Sequence, residues 1–247
     1  MTSSDPAVHA WDEPEGLAPR GTVIVLPGRG EHGGVYERLG RRLAFDAYRV
    51  RVLGDAVRDP AVPELAAKLL LDEALAGPKV LVGSDTGALY AAALASQGAP
   101  GLDAVILAGL PTATASAPVV AAADWAAELD LRTACPTHRG RLDADPGVHR
   151  GDLTAPLPDA LPAAALDRVT VPVLALHGSD DAVSPLNAAR RTYNGFPDVQ
   201  LVSIAGGRHD VLNDVTHRTV AATVVLFLER LRLSPALPAI ATPETTE

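Results

Sequence analysis

An acidic side chain lies between two glycines in the run Gly83-Ser84-Asp85-Thr86-Gly87, directly after a short apolar stretch. The stretch Lys79–Val82 predicts a buried strand, and the Ala- and Leu-rich run Ala88–Ser96 predicts a helix. A strand, a sharp turn with glycine two places before and after the central residue, and a helix form the setting of a nucleophile elbow. The flanking glycines permit the tight turn, so the central side chain points out over the sheet. The pattern marks Asp85 as a candidate nucleophile, where the motif usually carries serine.

Two later loops carry the other groups that such chemistry needs. The loop after the predicted strand Val171–His177 holds the adjacent acids Asp180 and Asp181, and the loop after Val199–Ile204 holds His209. Because the carboxyl ends of parallel strands meet at one edge of a sheet, these side chains are expected to lie near the elbow. A carboxylate orients a histidine that moves protons, so the loops predict a triad of nucleophile, acid and base.

The elements that would position these loops alternate along most of the chain. Strands alternating with helices predict an α/β fold, with a mainly parallel sheet and helices on both faces. At 247 residues, one domain spanning 1–247 is expected. The remaining predicted strands are Ala7–Trp11 (at an edge), Thr22–Leu26, Tyr48–Leu53 and Leu102–Ala108, and the remaining predicted helices are Val35–Ala44, Val62–Ala76, Ser184–Tyr193 and Asp214–Leu231.

A Pro- and Gly-rich stretch, residues 109–168, interrupts this alternation. It contains one predicted helix, near Val119–Leu131. An insertion of about sixty residues is too long for a plain strand-to-helix loop, so we expect a lid over the sheet at about 110–168. The Pro-, Thr- and Glu-rich end of the chain, about 234–247, is expected to be disordered.

The chain from Thr22 to about Leu231 resembles the α/β-hydrolase superfamily, in which nucleophile, acid and histidine follow in this order. PGRGEHGGVYERLGRRL is similar to the oxyanion-loop segment of monoacylglycerol lipase and lysophospholipase-type members. HGSDDAVSP resembles their acid loop and GGRHDVLND their histidine loop, which implies Asp181 as the acid and His209 as the base. Those families carry serine at the elbow, whereas haloalkane dehalogenases, fluoroacetate dehalogenases and many epoxide hydrolases carry Asp. The sequence thus resembles a lipase-type frame with a dehalogenase-type nucleophile.

The resemblance implies a specific chemistry for Asp85. A carboxylate suits attack on saturated carbon, because attack on an ester carbonyl would give a labile anhydride. The resulting alkyl ester on Asp85 would be hydrolysed by water that His209 activates. Backbone N–H groups of Thr86 and of the Gly28-Arg29 loop are expected to hold the oxyanion. The expected function is a cofactor-independent hydrolase of a small, largely apolar ester, epoxide or halide; the alternative is a non-catalytic pseudoenzyme or small-molecule-binding protein.

The specialised partners of both Asp-nucleophile classes are absent from the sequence. Haloalkane dehalogenases place Trp directly after the nucleophile, where this chain has Thr86, and epoxide hydrolases use lid tyrosines, which residues 109–168 lack. Trp125, in the expected lid, is therefore assigned to substrate binding. His32, in the glycine-rich stretch Pro27–Gly34 (the glycine loop), is assigned the same role.

Two rival interpretations of these motifs remain open. Gly28–Gly33 matches the dinucleotide-binding pattern G-x-G-x-x-G, after a predicted strand and before a predicted helix, with Asp55 near the end of the next strand. That interpretation leaves the elbow, acid and histidine loops unexplained, whereas the hydrolase interpretation uses all of them. Ser84 is an alternative nucleophile, but Asp85 has glycine at both flanking positions and Ser84 does not.

Composition narrows the remaining function classes. A net charge of −9 disfavours nucleic acid and anionic membranes as partners, which leaves a small-molecule substrate. Cys135 is the only cysteine, and no His/Cys cluster has metal-ligand spacing, so neither metal nor cofactor is expected. The polar start Met1–Trp11 lacks a signal-peptide core, and no apolar run reaches about 18 residues, so a cytoplasmic protein without a membrane span is expected. The oligomeric state is left open.

Overall fold

The computed structural model describes residues 8–112, 122–159, 161–162, 165–194, 196, 198–234, 236 and 240–241. Its strands are β1 (His9–Trp11), β2 (Gly21–Leu26), β3 (Tyr48–Val52), β4 (Lys79–Ser84), β5 (Ala104–Ala108), β6 (Val173–Gly178) and β7 (Val199–Ile204). They form one sheet in the order β1-β3-β2-β4-β5-β6-β7. Only β1 pairs antiparallel, at the edge, and the other pairs within this described sheet are parallel.

Helices cover both faces of this sheet. The helices of the described residues are α1 (Glu37–Phe45), α2 (Val62–Leu71), α3 (Thr86–Ser96), α4 (Trp125–Arg132), α5 (Pro136–Ala144), α6 (Leu186–Tyr193) and α7 (His217–Leu233). The predicted α/β fold with a mainly parallel sheet is confirmed. Within the described ranges, no helix combines the length and the apolar character that crossing a membrane requires.

The core lies in two layers, one on each side of the sheet. Along β2, Val23 and Val25 pack into the layer that α1 and α7 complete, while Ile24 and Leu26 pack into the layer of α2, α3 and α6. Every residue of β2 is buried, as expected for a parallel strand that is covered on both faces. The strands that position the candidate residues are therefore packed between two buried layers.

Most predicted element bounds differ from the structure by one to three residues, and two differences are larger. Helix α2 ends at Leu71 and not at Ala76, because Asp72 is extended and its carboxylate accepts the N–H of Ala74 at 2.9 Å. Helix α5 was not predicted, since its sequence PTHRGRLDA is mostly polar and has no apolar stripe. The helix predicted near Val119–Leu131 corresponds to α4, which begins at Trp125; residues 119–121 of the prediction lie outside the described part. Most of 234–247 also lies outside it.

The described part of 110–168 lies against the glycine loop. His149 N–H donates to the carbonyl of Gly30 at 2.8 Å, and Arg141 Nη2 donates to the carbonyl of Gly34 at 2.6 Å. This segment is therefore bonded to the loop that adjoins the elbow. Its action as a lid stays a prediction.

Candidate active site

The elbow backbone fixes the position of Asp85. Asp85 has φ 49° and ψ −123°, a backbone conformation that residues other than glycine rarely adopt. A Cβ at Gly83 would lie 2.3 Å from the carbonyl oxygen of Gly87, and one at Gly87 would lie 2.1 Å from that of Leu26. Asp85 N–H donates to the carbonyl of Ala108 on β5 at 3.0 Å. The two glycines thus let α3 start directly against the sheet, and Asp85 is held at the strand end.

Three of the sequence-predicted residues meet at the strand ends. His209 Nε2 lies 3.1 Å from Asp85 Oδ1, and His209 Nδ1 lies 2.9 Å from Asp181 Oδ2. Asp181 Oδ1 accepts the N–H groups of Val183 at 2.9 Å and Ser184 at 2.8 Å, which fix its orientation. Asp85, Asp181 and His209 are all at most 4% exposed. The arrangement has the hydrogen-bond geometry of a nucleophile, base and orienting acid.

The neighbouring residues that sequence alone left open take other positions. Asp180 is exposed, and its carboxylate accepts the hydroxyl of Ser179 at 2.8 Å. Ser84 is the last residue of β4, in register with Ala108. Asp181 and Asp85, and not these two neighbours, contact His209.

Arg29 clamps the Asp85 carboxylate. Its Nε donates to Asp85 Oδ2 at 2.8 Å, its Nη2 donates to Oδ1 at 3.0 Å, and its backbone N–H donates to Oδ2 at 3.0 Å. With His209 on Oδ1, each carboxylate oxygen accepts two hydrogen bonds, which fills the positions that a carboxylate offers. Arg29 Nη1 also donates to the carbonyl of Ala155 at 3.1 Å. One sequence feature hinted at this ion pair: an arginine in the loop expected to adjoin a carboxylate.

Burial and neighbouring charges set the protonation of these groups. Burial alone would raise the pKa of Asp85, but the Arg29 guanidinium and the His209 hydrogen bond outweigh it and hold that pKa well below its usual range. Burial alone would lower the pKa of His209, but Asp181 and Asp85 together raise it to about 10. The raised pKa favours the protonated form of His209, which lies between the carboxylates of Asp85 and Asp181. We call Arg29, Asp85, Asp181 and His209 the elbow network.

The expected oxyanion donors differ in their availability. Arg29 N–H already points at Asp85 Oδ2, at 3.0 Å. Thr86 is the first residue of α3, and its buried Oγ1 has no hydrogen-bond partner among the described residues. Gly28 N–H donates to the Tyr36 hydroxyl at 3.2 Å, so this amide already has a partner in this structure. The role of Gly28 in an oxyanion site stays a prediction.

The two residues assigned to substrate binding contact other partners. Trp125 Nε1 donates to Asp143 at 2.9 Å, and the Arg150 guanidinium lies 4.9 Å from the centre of the Trp125 ring. His32 caps the short turn at Gly33–Tyr36, and its Nε2 lies 2.9 Å from Asp145 Oδ2. Within the described ranges neither side chain bonds to the elbow network. Sequence reasoning placed them at the site because their segments adjoin it, but local capping and ion pairing determine where each side chain points.

The glycine loop does not offer its amides to a dinucleotide. Gly30 N–H donates to Asp55 Oδ2 at 2.9 Å, and Arg29 N–H donates to Asp85. Two carboxylates therefore occupy the donors that a pyrophosphate would need, which argues against the dinucleotide interpretation. Among the described residues, no group of three or more His, Cys, Asp or Glu side chains is arranged to hold a metal ion.

A second buried network, which the sequence did not reveal, joins the inserted segment to the glycine loop. Arg132 is 2% exposed, and it donates through Nη1 to Glu31 at 2.9 Å and through Nη2 to Glu128 at 2.7 Å. Arg132 Nη2 also donates to the carbonyl of Arg29 at 3.0 Å. The only sequence signal was the spacing of Glu128 and Arg132, one turn apart on a helix.

This network continues towards the histidine loop. His138 Nε2 lies 2.6 Å from Asp210 Oδ2, both side chains are buried, and Asp210 directly follows His209 in the chain. Burial raises the pKa of Glu31, and the nearby Asp210 raises it further, while Arg132 opposes both. We call Glu31, Glu128, Arg132, His138 and Asp210 the anchor network.

Solved structures share this fold. A monoacylglycerol lipase of Paleococcus ferrophilus superposes with a TM-score of 0.71 at 19% identity, over 90% of this chain and 99% of its own. A soluble variant of monoglyceride lipase from Saccharomyces cerevisiae gives 0.68 at 18% identity, over 90% of each chain. An esterase from Rhodococcus sp. ECU1013 gives 0.68 at 18% identity, over 91% and 94%. At these identities the likeness concerns the fold.

The family comparison covers most of the site. Residues 64–216 match the family described as serine aminopeptidase, S33, and the match includes Asp85, Asp181 and His209. The family is named for serine, and this chain carries Asp85 at the elbow. The chain belongs to the serine aminopeptidase S33 family of α/β-hydrolases.

Proposed function

We propose that this hydrolase uses Asp85 as a nucleophile towards the saturated carbon of a small halide or epoxide. The observation that carries the proposal is His209, whose ring nitrogens lie 3.1 Å from Asp85 and 2.9 Å from Asp181. A serine-type ester hydrolysis lacks its hydroxyl here, and carboxylate attack on an ester would give a labile anhydride. Attack on saturated carbon gives a stable alkyl ester that the enzyme can then hydrolyse.

The second step assigns a role to each remaining group. Esterification removes the negative charge of Asp85, so His209 loses one of the two carboxylates that raise its pKa. His209 gives up its proton, to the opened oxygen of an epoxide or, with a halide, to solvent, and becomes a base. His209 then takes a proton from water, whose oxygen adds to the Asp85 carbonyl carbon. The N–H groups of Arg29 and Thr86 stabilise the oxyanion that forms there. Asp181 keeps the ring oriented, through its bond to Nδ1.

Arg29 must move before Asp85 can attack. Both Asp85 oxygens accept two hydrogen bonds, so no lone pair is free for a substrate carbon. The Arg29 guanidinium is the mobile donor of the set, because the other donors are a backbone amide and the oriented His209. Its bond to the carbonyl of Ala155 couples that movement to the inserted segment. In this proposal, residues 110–168 act as a lid that releases Arg29 when substrate enters.

The test is to trap the ester. His209→Gln removes the base of the second step and leaves Asp85 in place, so a reactive alkyl bromide should accumulate as an adduct on Asp85. Intact-mass measurement followed by peptide mapping locates the adduct. Wild type should show less adduct at steady state than His209→Gln, and the matched control Asp85→Asn should show none. An unmodified Asp85 in His209→Gln would overturn the proposal.

A second candidate function has its own supporting observation. The Arg29 clamp satisfies Asp85 completely, which is also what a non-catalytic binding protein on this fold would need. Such a protein would form no adduct in any variant, yet its ligand would raise the melting temperature by mass action. Thermal shifts measured with the same probes therefore separate the two functions.

A further inference from the structure

Both ring nitrogens of His209 face carboxylate oxygens. Nε2 lies 3.1 Å from Asp85 Oδ1 and Nδ1 lies 2.9 Å from Asp181 Oδ2, with all three side chains buried. An ionised carboxylate can only accept hydrogen bonds, so both contacts require an N–H on the ring. Arg29 donates to both Asp85 oxygens and keeps that carboxylate ionised. The geometry therefore describes an imidazolium.

We propose that His209 stores a proton in the resting enzyme and delivers it to the oxygen that leaves carbon, so that the substrate is a strained cyclic ether of the epoxide class and not an alkyl halide. This inference rests on the proposed function. It adds an acid role in the first step to the base role in the second.

The proton balance favours an epoxide. An Asp85 oxygen attacks one ring carbon, the carbon–oxygen bond breaks, and its electron pair stays on the ring oxygen, which takes the His209 proton to become a hydroxyl. Neutral His209 then accepts a proton from water as the water oxygen adds to the Asp85 carbonyl carbon. Collapse of the tetrahedral intermediate breaks the ester bond, the second proton of that water passes to the product oxygen, and Asp85 and protonated His209 are regenerated. Epoxide and water become a diol, and the site exchanges no proton with solvent.

An alkyl halide does not fit this cycle. A departing halide takes no proton, so His209 would stay charged after Asp85 is alkylated. The buried site would have to release that proton to solvent before His209 could act as a base. An epoxide takes up the stored proton in the first step. His209 is then neutral when it must act as a base in the second step.

Elimination among the neighbours also favours His209 as the proton donor. Among the described residues, the side chains that donate to Asp85 are those of Arg29 and His209. Guanidinium does not give up its proton in proteins, so Arg29 cannot serve. The Tyr36 hydroxyl donates to Glu31 at 2.5 Å, and residues 109–168 contain no tyrosine. The ring oxygen of an epoxide stays on the carbon next to the new ester bond, close to the group that bonds Asp85.

The decisive experiment compares two probes with one carbon skeleton, styrene oxide and 2-phenylethyl bromide. In His209→Gln, Asp85 alkylation by the epoxide should fall about 100-fold or more relative to alkylation by the bromide, because only the epoxide needs an acid. Intact-mass time courses and peptide mapping measure both rates. Wild type should convert the epoxide to its diol.

A spectroscopic measurement tests the same proton without relying on the variant's stability. Histidine ¹⁵N resonances of the wild type at pH 8 should show both ring nitrogens of His209 protonated, and Asp85→Asn should lose one of these protons. A neutral ring in wild type at pH 8 would overturn the inference. So would an equal partial loss of both alkylation rates in His209→Gln, or turnover of the bromide without the epoxide; in those cases the bromide still alkylates Asp85, and the proposed function stands. If neither probe alkylates Asp85 in any form, the proposed function itself fails.

Discussion

Two buried polar networks lie side by side in this molecule and differ in how their charges can respond. The elbow network sets Asp85 and Asp181 against Arg29 and the His209 ring. The anchor network sets Glu31 and Glu128 against Arg132, beside the buried His138–Asp210 pair. The cation between the two glutamates is an arginine, which cannot give up its proton, whereas the His209 ring of the elbow network can. The elbow network can therefore change its charge at the reacting groups, while Arg132 keeps its charge and holds the inserted segment against the glycine loop.

The difference also separates chemistry from assembly. Each member of the elbow network lies in a loop at the end of a parallel strand, so the sheet positions it. The anchor network reaches from the glycine loop to α4 and α5, so it exists only when the inserted segment is packed. Arg132 links the two, because it donates to the carbonyl of Arg29 at 3.0 Å. Variants in the two networks should therefore have opposite balances of lost activity and lost stability.

The largest effect should come from Asp85→Asn. Turnover should fall at least about 10⁴-fold, since the amide cannot attack carbon. The free energy of unfolding should fall by only about 1 kcal/mol, because the amide oxygen can still accept a hydrogen bond from Arg29 and His209 can release its proton. Steady-state assay and urea unfolding measure the two effects. A stability loss as large as that of the Arg132 variant below would contradict the comparison.

The anchor network should show the reverse balance in Arg132→Met. Removing the cation leaves Glu31 and Glu128 buried without it, and the free energy of unfolding should fall by about 3–5 kcal/mol. Urea unfolding measures the loss. Arg139→Met is a matched control, because Arg139 pairs with the exposed Asp130 and should cost less than about 1 kcal/mol. Similar losses in both variants would show that the anchor network stabilises the fold no more than an exposed ion pair does.

The smallest effect is a pH dependence that belongs to the elbow network. The pKa of His209 is raised from 6.5 to about 10, so its contribution to stability is full below pH 6.5 and is lost as pH rises through about 10. The His209 ring faces Asp85 and Asp181. Arg29 pairs with Asp85, and His177 Nε2 lies 3.4 Å from Asp181 Oδ2. Stability should decline by at most about 1.4 kcal/mol per pH unit in this window.

The matched variant isolates that titration. In His209→Gln the same pH series should be flatter between pH 7 and 10, because the imidazolium is gone. Urea unfolding at fixed ionic strength measures both series. Parallel declines in the two proteins would assign the effect to other groups and remove the charged His209 from the comparison.

Much of the frame was predictable because it follows from local patterns. Val199–Ile204 was predicted with the bounds that β7 has, since VQLVSI carries three β-branched residues and ends just before the turn residues Gly206 and Gly207. The elbow glycines and the strand ends indicated Asp85 and His209, whereas the choice of Asp181 over Asp180 came from the resemblance of HGSDDAVSP to an acid loop. Where the predicted end of a helix was wrong, a nearby side chain competed with the helical hydrogen bonds. The Asp72 carboxylate bonds Ala74 N–H and ends α2 early.

The rest was not predictable because it depends on contacts between distant parts of the chain. Arg29 and Asp85 are far apart in sequence, and no periodicity indicates that the guanidinium turns onto the carboxylate. Gly28 had the right position for an oxyanion donor, but the Tyr36 hydroxyl takes its amide. Trp125 and His32 were assigned to the site because their segments adjoin it in the expected fold. Their own hydrogen-bond partners, Asp143 and Asp145, decide where the side chains point.

The packing at Gly83 and Gly87 has a consequence for how this sequence can drift. Those glycines set the backbone of the elbow, so the side chain at position 85 contributes little to its shape. An aspartate codon cannot become a serine codon by a single base substitution, and the paths to the AGC codon pass through Asn or Gly. Both residues accept the positive φ of position 85, so each intermediate would fold while inactive. A lineage can therefore change between an aspartate and a serine nucleophile through an inactive but well-folded intermediate, provided that another copy of the gene supplies the activity meanwhile.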